Sequence, residues 1–571
     1  PKIWKPFEAY FPDGLTNSAG EKVTDLWQEC TSRDLNGEPI HADWLECPDR
    51  EHACHLMDSN NPVWREYLKA IIRVHVDAGV DGIQFDEPDG PIAALKYGGC
   101  FCRDCTDGFR AYLNRLPADQ VPDDLRAELP GFDYAANLRG RGETRIDPRR
   151  PDFLARAYAQ YQRGCTTANL RELINYARSY AESVGRTVQL SANVFDGLPT
   201  FAPLAADLDI LVPEQNHSLY RNPTWMRYIA GFAGGKDVAI SLNPYGGVPP
   251  ELTNALRAGR GLNHFRGMLY EAAACGVSLS VPYGAWLGSV IEDALYAPHD
   301  ETVELQDFLA DHEALFGTAT FNEVAVAYSV DSNFIPVTYG NLAANLERTG
   351  SLERSGGVPD SPWSTRTPFT AASDSLSDDL HPYDAVMLYD GELAPDTVSA
   401  ESLARYRHLV LPGCTDLTEN QLAAVLGYLD QGGQVLVAGD LGPAGPAVDQ
   451  ILNHERTRAI AAAEFAAATV GDRQLSLSGV GDAAANIQRT RRDTAALHVI
   501  RYIRAEVTDP DAAVEVIDDV PVVVRLPYSS SGAVYFAPGQ PDLTLPVTQE
   551  GTAVRVTVPK LGQYGIVEFL R

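Results

Sequence analysis

From Asp58 to about Trp286 the chain alternates amphipathic stretches with short apolar runs. A helical period covers Pro62–Asp77, with Asn60 and Asn61 as the cap region. A second helix opens over Cys105–Leu113, a long one fills Pro151–Val184, and another lies near Trp225. The runs Val80–Glu87, Thr187–Val194, Leu208–Glu214, Asp237–Asn243 and Val277–Tyr283 are short, apolar and closed by polar residues, the pattern of buried strands. Strands alternating with helices build a parallel sheet. Polar residues at every strand's C-terminal end favour a (β/α)8 TIM barrel over an open sheet, because barrels place their chemistry there. Val80–Glu87 reads as the fourth strand, since four follow it, and Glu8–Phe11 is the candidate third. The first two are expected upstream of residue 1, or the barrel is incomplete. This body is expected over residues 1–318.

The pattern changes twice more. Over 319–490, the strands Val324–Val330, Ala385–Tyr389, His408–Leu411 and Val435–Gly439 alternate with helices such as Thr418–Gln431, which predicts a flavodoxin-like α/β domain. Ser351–Leu380 is rich in Ser, Pro, Thr and Asp and reads as a long loop. Over 491–571 the helical period vanishes, and Val522–Leu526, Ala533–Phe536, Ala553–Val558 and Tyr564–Phe569 alternate as the strands of a small C-terminal β-sandwich.

Charge narrows the partners. The formal net charge is −31, which argues against nucleic acid or an anionic membrane surface. Only seven of the 46 basic residues are lysines, a balance that fits either a salt-adapted source or a GC-rich genome. No run of 18 apolar residues offers a membrane span, no signal peptide is visible, and the expected compartment is the cytoplasm.

Nine cysteines scattered through a long chain make a poor disulfide framework. Four have a better use. Cys100, Cys102 and Cys105, with Cys54 upstream, have the number and type of ligands for one tetrahedral structural zinc. Cys30 or Cys47 could replace Cys54 as the fourth. Cys165, Cys275 and Cys414 read as buried thiols.

Candidate catalysis lies at the strand ends. Asp86 and Glu87 close Val80–Glu87, and Glu214 closes Leu208–Glu214. Two carboxylates at one barrel mouth are what glycoside hydrolysis needs: one protonates the leaving oxygen, the other attacks the anomeric carbon or activates water. Asn193, Asn216, His217, Asn243, Tyr245, Tyr283 and Trp286 occupy the same or neighbouring strand ends, where amides can bind hydroxyls and aromatic faces can stack on sugar rings. Glu271 falls within a helical segment and reads as structural.

These motifs resemble glycoside hydrolase family 42, the β-galactosidases of the large (β/α)8 clan. The resemblance rests on Phe85-Asp86-Glu87, then Cys100-Phe-Cys102-Arg-Asp-Cys105, then Phe109-Arg-Ala-Tyr-Leu113, with Cys54 ahead of Asn61-Pro-Val-Trp-Arg-Glu-Tyr67. It implies Glu87 as acid/base, a zinc on the cysteines, and a flavodoxin-like domain that joins subunits in a homotrimer. Two departures matter. Asp86 stands where the family has Asn, and Val238–Asn243 lacks the family's nucleophilic Glu on the seventh strand. The expected activity is therefore hydrolysis of an oligosaccharide or glycoside, with Glu87 as acid/base and Glu214 as its partner. The alternatives are an α-retaining glycosidase with Asp86 as nucleophile, and a carbohydrate-binding barrel without catalysis.

Overall fold

The computed structural model describes residues 9–41, 55–86, 88, 90–215, 221–242, 250–280, 299–339, 366–467, 470–503 and 509–571. It is a mixed α/β structure in two compact units. One comprises Pro1–Val194, Leu198–Ile210 and Phe334–Pro362; the other comprises Phe195–Gly197, Leu211–Asn333 and Trp363–Arg571. Among the described residues no helix is long and apolar enough to cross a membrane.

In the first unit the helix Pro62–Ala78 starts where Asn61 accepts the backbone N–H groups of Val63 and Trp64. It stops at Gly79, whose φ of 90° suits a residue without Cβ. The next run becomes the strand Gly82–Phe85, which pairs in parallel with Gln189–Asn193 through Ile83 opposite Leu190 and Phe85 opposite Ala192. Between them in sequence lie the helices Arg103–Arg115 and Phe153–Ser183, the latter capped by Asp152. Their apolar faces meet around Phe109, Leu113, Tyr134, Tyr158 and Tyr161. Of the strand expected at Glu8–Phe11, the described residues Ala9 and Tyr10 are helical. The Arg73 guanidinium instead covers the rings of Tyr10 at 4.4 Å and Phe11 at 5.4 Å, which draws this segment onto the helix Pro62–Ala78.

From Leu208 onward several expected strands shorten. Leu208–Glu214 is not one strand but two, Ile210–Val212 and Glu214–Gln215, broken at Pro213, which has no N–H for a ladder. Glu214–Gln215 pairs in parallel with the end of Asp237–Leu242, and that strand pairs in parallel with Ser278–Leu279. Val277–Tyr283 thus contributes a two-residue strand to the described structure. Among the described residues no closed ring of eight strands forms.

The second unit holds a parallel sheet of Val324–Ser329, Asp384–Leu388, His408–Cys414, Gln434–Leu441 and Thr457–Ile460, in spatial order 2-1-3-4-5. The fifth strand was hidden in sequence by its charged flank, His454-Glu-Arg456. The long loop expected over Ser351–Leu380 contains a helix, Pro368–Asp378. Thr367 and Thr370 form a reciprocal capping box, and Phe369, Ala372 and Leu376 recur at helical spacing on the buried side. The abundance of Ser, Thr and Asp masked that period. The helix Pro223–Ala233 packs so closely on the strand Asp384–Leu388 that a Cβ at Gly231 would lie 2.3 Å from the Ala385 carbonyl oxygen.

The antiparallel part begins at Leu475, ahead of the boundary expected at 491. Two sheets form, one of Leu475–Leu477, Ile517–Arg525, Ala553–Leu561 and Thr548–Glu550, the other of Ala483–Arg489, Ala495–Arg501, Tyr564–Leu570, Gly532–Phe536 and Leu543–Leu545. Val522, Val524, Val554 and Val556 of the first share one buried core with Ile487, Leu497, Val567 and Phe569 of the second, as in a sandwich.

Candidate functional site

The cysteine motif sits at a helix start. Cys102 caps Arg103–Arg115, its Sγ accepting the N–H of Cys105 at 3.4 Å, so the cap and the helix's first turn bring two thiols together. Cys100 is delivered by the preceding turn, where Gly99 lies so close to the Arg33 carbonyl that a Cβ would come within 2.6 Å of its oxygen. Arg33 donates its N–H to Cys100 Sγ at 3.3 Å, and Cys102 donates its own at 3.4 Å.

Among the described residues the fourth member of the cluster is Asp58, whose ligand atom and the three Sγ atoms all lie within 4.8 Å of one another. Asp58 Oδ2 is 2.8 Å from Cys102 Sγ, 3.4 Å from Cys105 Sγ and 3.9 Å from Cys100 Sγ. Its Oδ1 accepts the Asn60 N–H at 2.9 Å, which fixes the turn ahead of the Asn61 cap. The expected ligand Cys54 and the alternate Cys47 lie outside the described residues. Cys30 is buried apart from the cluster, 3.8 Å from Asn61 Oδ1. Cys275 and Cys414 are buried, whereas Cys165 is only half-buried.

The surroundings suit a thiolate at Cys100, while Cys102 and Cys105 are pushed well above the ordinary thiol value. Asn60 Nδ2 donates to Cys105 Sγ at 3.1 Å and to Gln162 Oε1 at 2.9 Å. Gln162 in turn donates to the Tyr158 hydroxyl, which donates to the Cys100 carbonyl. Outer donors of this kind orient ligands and hold negative sulfur. Burial would lift the Cys100 thiol, but hydrogen bonds from Cys102, Cys105 and the two backbone N–H groups outweigh it and hold it well below its ordinary value. Burial, then the Cys100 charge, pushes Asp58 up to about 7. Three sulfurs and one carboxylate oxygen, buried and supported from outside, fit a four-coordinate structural metal such as zinc. Sequence reasoning missed Asp58. Its signal was the Asp-Ser-Asn-Asn-Pro run, an Asp able to close a turn onto a helix cap.

The other candidates lie at strand ends, Asp86 and Asn193 in the first unit and Glu214 in the second. Asp86 directly follows Gly82–Phe85 and is exposed. Asn193 ends the neighbouring strand, is 8% exposed, and donates Nδ2 to Asp86 Oδ1 at 3.1 Å. Glu214 is half-buried, pairs opposite Ser241, and donates its N–H to the Phe195 carbonyl at 2.8 Å. Phe195 has a φ of 50°, and this left-handed turn is braced by Trp225 Nε1 on the Asp196 carbonyl at 3.0 Å and the Tyr228 hydroxyl on the Gly197 carbonyl at 2.6 Å. A non-glycine residue in this region is held there by its surroundings and marks a constrained site. The expected residues Glu87, Asn216, His217, Asn243, Tyr245, Tyr283 and Trp286 lie outside the described residues. Glu271, read as structural, is buried on the helix Leu262–Ala274 and accepts the Asn222 N–H and the Tyr502 hydroxyl.

No protein-family model matches the chain, and no curated protein matches it by sequence. Solved structures do match by fold. The β-galactosidase from Bacillus circulans sp. alkalophilus superposes with a TM-score of 0.56 at 12% identity, covering 95% of this chain and 86% of that one. The α-L-fucosidase isoenzyme 2 from Paenibacillus thiaminolyticus gives 0.55 at 13%, covering 95% and 85%. The apo exo-carrageenase of glycoside hydrolase family 42 from Bacteroides ovatus gives 0.51 at 10%, covering 97% and 78%. At these identities the likeness is one of fold: this chain is built as glycoside hydrolases are, family 42 among them.

Proposed function

We propose that the protein is a glycoside hydrolase that cleaves an oligosaccharide or glycoside with a pair of strand-end carboxylates. The observation that carries this reading is the carboxylate Asp86 at the end of a parallel strand, bonded to Asn193 at the end of the next, in a chain whose fold neighbours are glycosidases. The roles follow from the chemistry. Glu87 protonates the glycosidic oxygen as acid/base, and Glu214 is the partner that attacks the anomeric carbon or activates water. Asn216, His217, Asn243, Tyr245, Tyr283 and Trp286 are proposed to line the sugar site, with Asn193 beside Asp86 at its edge. The full scaffold in this proposal is a (β/α)8 barrel over 1–318, a flavodoxin-like domain over 319–490 and a sandwich over 491–571. The strand order 2-1-3-4-5 supports the middle assignment. That domain's role is subunit contact in a homotrimer, which light scattering would refute by finding a monomer at micromolar concentration.

A second mechanism is favoured by one residue. Asp86 is a carboxylate where family 42 has an amide, so an α-retaining enzyme would use Asp86 as nucleophile and Glu214 as acid. Turnover of a panel of aryl α- and β-glycosides tests both. Glu87→Gln and Glu214→Gln are each expected to lower kcat by at least ~10²-fold in the main reading. Asp86→Asn stays within about tenfold of wild type if Glu87 is the acid/base, and abolishes turnover if Asp86 is the nucleophile. Sugar binding without turnover on every glycoside would identify a carbohydrate-binding protein and end the enzymatic reading.

A further inference from the structure

We infer that Asn193 is a positioning residue for Asp86 rather than a ligand of the sugar. The inference deepens the proposed function and rests on it for its kinetic part. Three observations converge. First, the register that sets Phe85 opposite Ala192 brings the next residues on the two parallel strands, Asp86 and Asn193, side by side at the C-terminal ends. Second, the Asn193 amide spends an N–H on Asp86 Oδ1 at 3.1 Å. Third, Asn193 is 8% exposed whereas Asp86 is exposed, so the carboxylate, not the amide, is the group offered to solvent and to an incoming substrate.

The chemistry gives the pairing its purpose. An ionised carboxylate only accepts hydrogen bonds, and an amide N–H donates to it in a fixed plane. Asn193 therefore sets the rotamer of Asp86. A fixed carboxylate matters in either mechanism above, as nucleophile or as acceptor for a sugar hydroxyl, because small misplacements of a reacting group are costly. The amide in turn is held by the strand Gln189–Asn193, within which Leu190 donates its N–H to Asp209 Oδ2 at 2.8 Å.

Two measurements test this. In protein labelled with 15N at asparagine, the Asn193 side-chain amide should shift and exchange faster with solvent in Asp86→Ala. An Asn193 amide indifferent to Asp86 would overturn the inference, whatever the protein's activity. In kinetics, Asn193→Ala should lower kcat, by no more than Asp86→Asn does, with KM changed less than threefold, whereas loss of a sugar ligand would raise KM at unchanged kcat. The exchange variant Asp86→Asn with Asn193→Asp, which moves the amide to position 86, should show a protected side-chain amide there, and one that exchanges freely would count against the pairing. If wild type hydrolyses no glycoside, the proposed function falls while the amide measurement still decides the pairing.

Discussion

Asp58 and Glu271 are both buried carboxyls, and burial pushes each up to about 7, yet their environments differ in what completes them. Glu271 is finished by the protein's own donors. The Tyr502 hydroxyl at 2.5 Å and the Asn222 N–H at 2.8 Å both reach Oε1, and the charges of Arg221 and Arg227 act in its favour. Asp58 has the Asn60 N–H on one oxygen and three sulfurs around the other. The Cys100 charge opposes the ionisation of Asp58, although Cys102 and Cys105 donate to it, where the arginines favour that of Glu271. Burial alone therefore does not mark a functional carboxyl; the sign of what surrounds it does. A buried acid among donors fastens elements together, and a buried acid among thiols calls for a cation.

The comparison breaks first at the metal. One zinc per chain is expected, and its removal should cost several kcal/mol of stability, given apparent zinc-binding free energies of ~10–16 kcal/mol for structural sites. Elemental analysis followed by denaturation with and without chelator reads this. Metal-free protein whose stability ignores the chelator would place Asp58 with Glu271 as a merely structural acid. Asp58→Asn should weaken zinc by at least ~10²-fold while Asp58→Cys retains it, and a spectrum of the cobalt-loaded protein would register the added thiolate.

Glu271 sharpens the comparison through pH. Its folded pKa is raised above the unfolded value, so the folded state holds the proton more tightly. The stability this contributes is complete below about 4.5 and is lost as pH rises through about 7. A shift of this size corresponds to a few kcal/mol at most. Glu271→Gln should flatten the stability curve between those values and leave the protein at least as stable as wild type at pH 8. Denaturant unfolding at a series of pH values that gave both proteins the same slope would contradict the assignment.

The smallest effect is expected from Tyr502→Phe. It removes one donor from Glu271 and should cost ~1–2 kcal/mol above pH 7, less at pH 5 where the carboxyl is protonated. An equal loss at both values would mean that Tyr502 acts through packing alone.

Much of this was legible in the chain. Asn61 and Pro62 announced the helix that they start, and the three-cysteine spacing announced a cluster that the structure assembles at a helix cap. Asp86 was placed at a strand end by the apolar run before it. The errors share a cause. Pro213 split a strand whose apolar run looked continuous, and the capping box at Thr367 turned a polar loop into a helix, because single residues with special backbone chemistry outweigh average composition.

Sequence by itself determined the periodicities, the caps and the ligand types, since those depend on residues a few positions apart. Tertiary structure alone decided which distant residues meet. Asp58 joins the cysteines across more than forty positions, and Asn193 reaches Asp86 across 107. Tyr502 finds Glu271 across 231. No local propensity encodes such meetings. They follow from strand register and helix packing, which bring side chains together only after the whole hydrophobic core has chosen its arrangement.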